Sequence, residues 1–162
     1  MKKIYLCLLA ICLTGTACEE KEVCPQDVPF TEYYLTNQCQ WTSVNIKHED
    51  FNGKVIIINS YDELENYITC NVDSSYYHAI DFSEYTLLLA AGVPPTEGHS
   101  VPINTTFIRK GRTEYDLNLI IIHSQGLATV ILPWYSTILT PKIASETTIA
   151  LNVKYIEIVR NH

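Results

Sequence analysis

Five histidines and eighteen acidic residues are the groups in this 162-residue chain best suited to moving protons near neutral pH. His48-Glu49-Asp50 sets a base beside two carboxylates, but sequence neighbours in a turn point apart. Catalysis needs a base within hydrogen-bond reach of a nucleophile, and a third group that orients the base. Asp81 and Glu97 offer a second carboxylate pair, of the kind whose separation sets the mechanism of glycoside hydrolysis. Asp81 reads more simply as the brace of a turn ahead of a strand. No G-x-S-x-G run, glycine-rich phosphate loop, C-x-x-C or H-x₃-H spacing occurs. The expectation is a non-catalytic protein without metal or cofactor. A hydrolase would need one deep pocket gathering His99 with Asp81 or Glu97.

Two stretches carry residues suited to binding. The first is Gly92 to Ser100, where Pro94 and Pro95 stiffen the backbone, and Glu97, Gly98 and His99 are the tentative contact residues. Rigid loops on a sheet lose little entropy on engagement, although an ordinary hairpin connection has the same look. The second is Pro133-Trp134-Tyr135. Adjacent aromatics in a loop-like context, Trp134 and Tyr135, suit a protein hot spot or the face of a sugar. Trp134 plugging the end of the core is the alternative. Eleven tyrosines fit a binding surface, but half-buried strands favour tyrosine too.

The N-terminus adds chemistry of another kind. Lys2 and Lys3 precede an apolar run, Ile4 to Leu13, which is too short to span a bilayer and has the order of a secretory signal. Gly15-Thr16-Ala17-Cys18 resembles the lipobox of bacterial lipoproteins, with Gly15 where the pattern usually has Leu, Val or Ile. That resemblance implies cleavage after residue 17 and acylation of Cys18, including palmitate, and each buried CH₂ adds about 0.8 kcal/mol of membrane affinity. Glu19-Glu20-Lys21-Glu22 then reads as a polar spacer. The same acidic cluster is similar to the export signals of Bacteroidetes surface lipoproteins. Together these place the protein on the outer membrane, lipid-anchored and facing either the periplasm or the exterior.

Less its first 17 residues the chain has 145, enough for one domain, and the loss of Lys2 and Lys3 takes its charge from −7 to −9. An acidic chain with no basic cluster is poorly suited to nucleic acid, whose binding starts with phosphate neutralisation. Cys24, Cys39 and Cys70 remain after the signal and Cys18 are set aside. Three thiols allow one disulfide, and Cys24 with Cys39 is the most local pairing.

The elements that must position these groups follow from periodicity. Residues 18–40 read as a tether gaining order near Phe30, Tyr33 and Tyr34, and 41–162 as a single domain. Strands are expected over Trp41–Lys47 and Val55–Ile58. Ser60 and Glu63 form a capping box opening a helix from Tyr61 to about Asn71. Thr86–Ala91 is apolar throughout, as in a strand buried on both faces. Val101–Arg109, alternating through Val101, Ile103, Thr105 and Phe107, pairs with Tyr115–His123. Leu127–Leu132 and Thr148–Val159 complete the set, the last with a slip near Tyr155-Ile156. The class is α+β, a predominantly antiparallel sheet of about six or seven strands with one short capped helix.

Ile80-Asp81-Phe82-Ser83-Glu84-Tyr85-Thr86-Leu87-Leu88-Leu89, with the lead-in Ile58-Asn59-Ser60-Tyr61-Asp62-Glu63-Leu64, resembles the C-terminal domain of the protease-complex subunit PrcB. Pro95 to Val101 takes the place of that group's T-G-G-Y-type loop, with Glu97 and His99 where the group has glycine and tyrosine. The resemblance covers residues 55–157 and implies a non-catalytic accessory module for another envelope protein, with no catalytic residues to carry over. A glycan-binding surface lipoprotein is the alternative.

Overall fold

The computed structural model describes residues 24–36, 38–41, 54–70, 79–94, 99–124 and 133–158. In chain order these form β1 (Gln26–Asp27), β2 (Thr31–Glu32), β3 (Cys39–Trp41), β4 (Val55–Ile58), α1 (Tyr61–Glu65), β5 (Ile68–Cys70), β6 (Tyr85–Gly92), β7 (His99–Arg109), β8 (Glu114–Ser124), β9 (Trp134–Pro141) and β10 (Thr148–Ile158). Two four-stranded sheets have the orders β1-β7-β8-β10 and β2-β9-β6-β4, and β3 and β5 make a two-stranded ribbon. Every neighbouring pair is antiparallel except β8 and β10. Parallel neighbours need a long crossover, and the chain makes it by passing through β9 of the other sheet.

β6 is the centre. It lies between β9 and β4 and is buried from Thr86 to Ala91, as its unbroken apolar run requires. Its alternate side chains serve two cores. Leu88 and Ala90 pack with Phe107, Leu117, Leu119, Ile121 and Ile138 between the two large sheets. Leu87, Leu89 and Ala91 pack on the opposite face with Tyr33, Ile58, Leu64 of α1 and Ile68 of β5. Full burial of each leucine contributes about 1.5–3 kcal/mol.

The ten strands exceed the expected six or seven for identifiable reasons. β1 and β2 lie in the segment read as a tether, but they pair with β7 and β9, and Tyr33 is buried in the core. The expected helix is cut short. Its capping box forms, with Glu63 N–H donating to Ser60 Oγ and Glu63 Oε2 accepting from Asn59 N–H. Asn66 then caps the C-terminus, and β-branched Ile68 and Thr69 pair with β3. β9 occupies what reads locally as a loop. The strands expected over residues 42–47 and 127–132 lie outside the described residues.

Two phase assignments also change. Pro102 has no N–H to give the ladder, and the β7–β8 register shifts between Pro102 and Asn104. Ile103 takes up the extra position, so Phe107 stays buried while Val101 and Ile103 are 46% and 52% exposed. In β10 the slip near Tyr155-Ile156, readable as a bulge or a short edge, is no bulge: the strand does lie at the sheet edge, but it is 11 residues long. Its register with β8 runs unbroken from Thr148 to Ile158, and Tyr155 extends the inward row of Ile149, Leu151 and Val153.

Candidate functional site

Few of the sequence-based candidates fall among the described residues. Cys18, Glu97, Gly98 and the His48-Glu49-Asp50 run lie outside the described residues, as does the side chain of His99, whose backbone opens β7. Asp81 is taken up by its turn: Oδ1 accepts from the Ser83 hydroxyl at 2.5 Å and the Ser83 N–H at 3.0 Å. Those two bonds, the hydroxyl first, hold its carboxyl below the usual range. The local signal for a brace is correct.

Trp134 and Tyr135 part company. They are consecutive residues of β9 and so point to opposite faces of the sheet. Trp134 is 3% exposed and belongs to the inter-sheet core, as the core-plug reading expects, so its ring is not the surface contact that the binding reading would need. Its Nε1–H donates to Tyr155 Oη at 2.9 Å, and the Tyr155 hydroxyl donates on to the Val93 carbonyl at 3.3 Å. This relay satisfies a buried indole and ties the start of the 93–100 segment to β10. Gly92, opposite Trp134 in the ladder, is required there, because a Cβ would sit 2.4 Å from the indole Cζ2.

Tyr135 faces the other way, half-buried, into a groove of about 640 Å³. Three parts of the chain build it. β7 supplies Val101, Pro102 and Thr105, and β9 supplies Tyr135, Ser136 and Thr137. The stretch from Glu32 to Leu35 and the ribbon residues Cys39, Gln40 and Trp41 complete the walls. The backbone places them firmly. Tyr33 N–H donates to the Thr137 carbonyl at 3.0 Å, and Thr137 Oγ1 donates to the Tyr33 carbonyl. The bulge at Ile103 matters here too, since it puts Val101 on the groove's rim. A smaller hollow of about 290 Å³ lies beside it, sharing Glu32, Tyr33 and Tyr34. Tyr34 is 67% exposed, and its hydroxyl donates to Glu32 Oε2. Burial pushes the Tyr135 phenol up, so it stays neutral through ordinary pH.

Sequence reasoning missed all of these partners but Tyr135. The signal was the aromatic density of Phe30, Tyr33 and Tyr34 in a segment read as a tether, with Trp41 directly after it at the start of the expected domain.

The cysteine pairing is corrected. Cys39 stands directly opposite Cys70 in the ribbon and is bonded to it across 31 residues, while Cys24 is free and exposed. Register, not sequence proximity, decides the pairing. The disulfide thus fastens the Gln40–Trp41 wall of the groove to the segment after α1.

One polar pair sits apart from the groove. Ser100 Oγ and His123 Nδ1 are 2.9 Å apart, at the spacing a nucleophile and base require. His123 continues the inward row of Leu117, Leu119 and Ile121 and is fully buried. Both side chains are buried, and the bond meets a polar need inside the core. Among the described residues no three His, Cys, Asp or Glu side chains converge to hold a metal, and no helix is long and apolar enough to cross a membrane.

No protein-family model matches the chain, and no curated protein or solved structure matches it significantly.

Proposed function

We propose that the protein is a lipid-anchored, non-catalytic binding module of the cell envelope, and that the groove beside β7 holds a segment of another envelope protein. The observation that carries this reading is the groove's make-up: three partly exposed rings, Tyr34, Trp41 and Tyr135, over buried Tyr33, with neutral hydrogen-bonding side chains and one carboxylate, Glu32. Tyrosine and tryptophan give large contact area at low entropic cost, which is the composition of interface hot spots. Among the described residues no strand pairs with the second edge of β7 at Val101–Thr105, which carries Pro102 and a bulge, two devices that discourage strand addition. Recognition therefore falls to side chains. The Cys39–Cys70 disulfide agrees with an oxidising compartment, and Cys18 would supply the anchor. The accessory role implied by the PrcB resemblance points the same way. The groove's tyrosines also suit a glycan, which keeps that reading as the alternative.

One experiment tests anchor and groove together. The full chain, expressed with an alkynyl palmitate label, is expected to carry label that Cys18→Ser removes. Isolated from solubilised envelopes, it is expected to bring down a partner that the Tyr34→Ala/Val101→Ser variant loses by about tenfold. Both changed side chains are exposed, so the variant keeps its core. Unlabelled protein sinks the anchor, and an unchanged partner sinks the groove.

A further inference from the structure

The groove's charge pattern says what kind of side chain it takes, an inference that rests on the binding role proposed above. Tyr34, Trp41 and Tyr135 are its partly exposed aromatic residues, with Tyr33 buried among the lining residues. Among the described residues, the one charged side chain lining it is Glu32, and no Lys, Arg or His joins it there. The Tyr34 hydroxyl donates to Glu32 Oε2, which holds the carboxylate against the edge of the most exposed ring.

That combination discriminates between ligands. The face of an aromatic ring is electron-rich and attracts a cation placed within about 6 Å of its centre. A carboxylate beside the rings adds a charge-assisted acceptor for the cation's N–H groups. An anionic ligand would meet rings and a like charge, with no cation among the described lining residues to receive it. A neutral sugar could stack on a tyrosine and donate its hydroxyls to the carboxylate, but it gains no charge pairing there. The whole chain carries −7, so its field draws cationic partners as well.

We infer that the groove captures its partner through an arginine or lysine side chain, lying among Tyr34, Trp41 and Tyr135 with its charged end on Glu32. Arginine fits better, because a planar guanidinium stacks on a ring while its fork meets a carboxylate.

The test is an amide-shift titration of the full-length protein in uncharged micelles with triarginine amide, triglutamate amide and cellotriose. Triarginine is expected to move the Glu32, Gln40, Trp41 and Tyr135 amides, with the other two probes inert. Glu32→Gln, an exposed change, is expected to weaken triarginine by at least about fivefold, and raising salt to about 0.5 M to do the same. Unaltered affinity in Glu32→Gln overturns the inference, as does a groove that answers only to triglutamate, only to cellotriose, or to no probe. A groove that takes cellotriose alone moves the ligand to the glycan class. Failure of the binding role itself is read separately, from a partner that survives Tyr34→Ala/Val101→Ser.

Discussion

Trp134→Ala is expected to lower the free energy of unfolding by about 3–5 kcal/mol, the range for removing a large buried aromatic. The indole is 3% exposed and packs with Leu88, Ala90 and Ile138, so its loss leaves a cavity bounded by two sheets that cannot easily close. It also removes the donor to Tyr155 Oη. Tyr155→Phe separates the two effects. It keeps the packing but leaves the buried indole N–H without its acceptor, at about 1–3 kcal/mol. Urea unfolding followed by far-ultraviolet circular dichroism measures both. A Trp134→Ala variant with a near wild-type midpoint would place this ring at the surface instead of in the core.

Loss of the disulfide is the second large effect. Closing a 31-residue separation constrains the unfolded chain by about 3–4 kcal/mol, and Cys70→Ser is expected to lose about that much stability. Its second consequence is local. β3 pairs with β5 over three residues, Cys39–Trp41 with Ile68–Cys70, so without the covalent link the Gln40–Trp41 wall of the groove is expected to loosen first. Reductant added to the wild-type chain should reproduce the lower urea midpoint, and should leave Cys70→Ser unchanged. A Cys24→Ser variant is expected to behave as wild type, because that thiol is exposed and unbonded. If Cys24→Ser, and not Cys70→Ser, abolished the response to reductant, the pairing would be Cys24 with Cys39 after all.

Much of the scaffold is legible from local signals because those signals are strong. A short apolar run suits a strand covered on both faces, and Leu87–Ala91 is one, with the buried Thr86 hydroxyl at its head bonded to Asn59 and Ile143. Ser60 and Glu63 announce a helix start through two specific hydrogen bonds. The β7–β8 hairpin follows from alternation on either side of a Lys110-Gly111 turn. The misses share one cause: partners distant in sequence override local preference. Ile68 to Cys70 continues a helical pattern but is claimed by β3 across a disulfide. Residues 26–32 look like tether because each pairs over only two positions, with strands about a hundred residues away or fewer. β10 shows a broken period because Tyr155 is a polar residue in a core row, made acceptable by Trp134 and Val93.

The groove was harder still to foresee. It draws on β7, β9, the ribbon and the Glu32–Leu35 stretch, and no single window of sequence holds more than a part of it. Tyr135 alone carried a readable hint, through its position beside Trp134. That same adjacency was misleading, since strand geometry sends one ring to the core and the other to the groove.

The most direct test of the groove as a binding site is site-specific photo-crosslinking in intact envelopes. p-Benzoylphenylalanine at position 101 sits on the groove's rim, and at position 150 it sits on exposed β10 outside the groove. A discrete cross-linked envelope protein from position 101 and none from position 150 is the predicted result. The same product from both positions, or none from position 101, would contradict it.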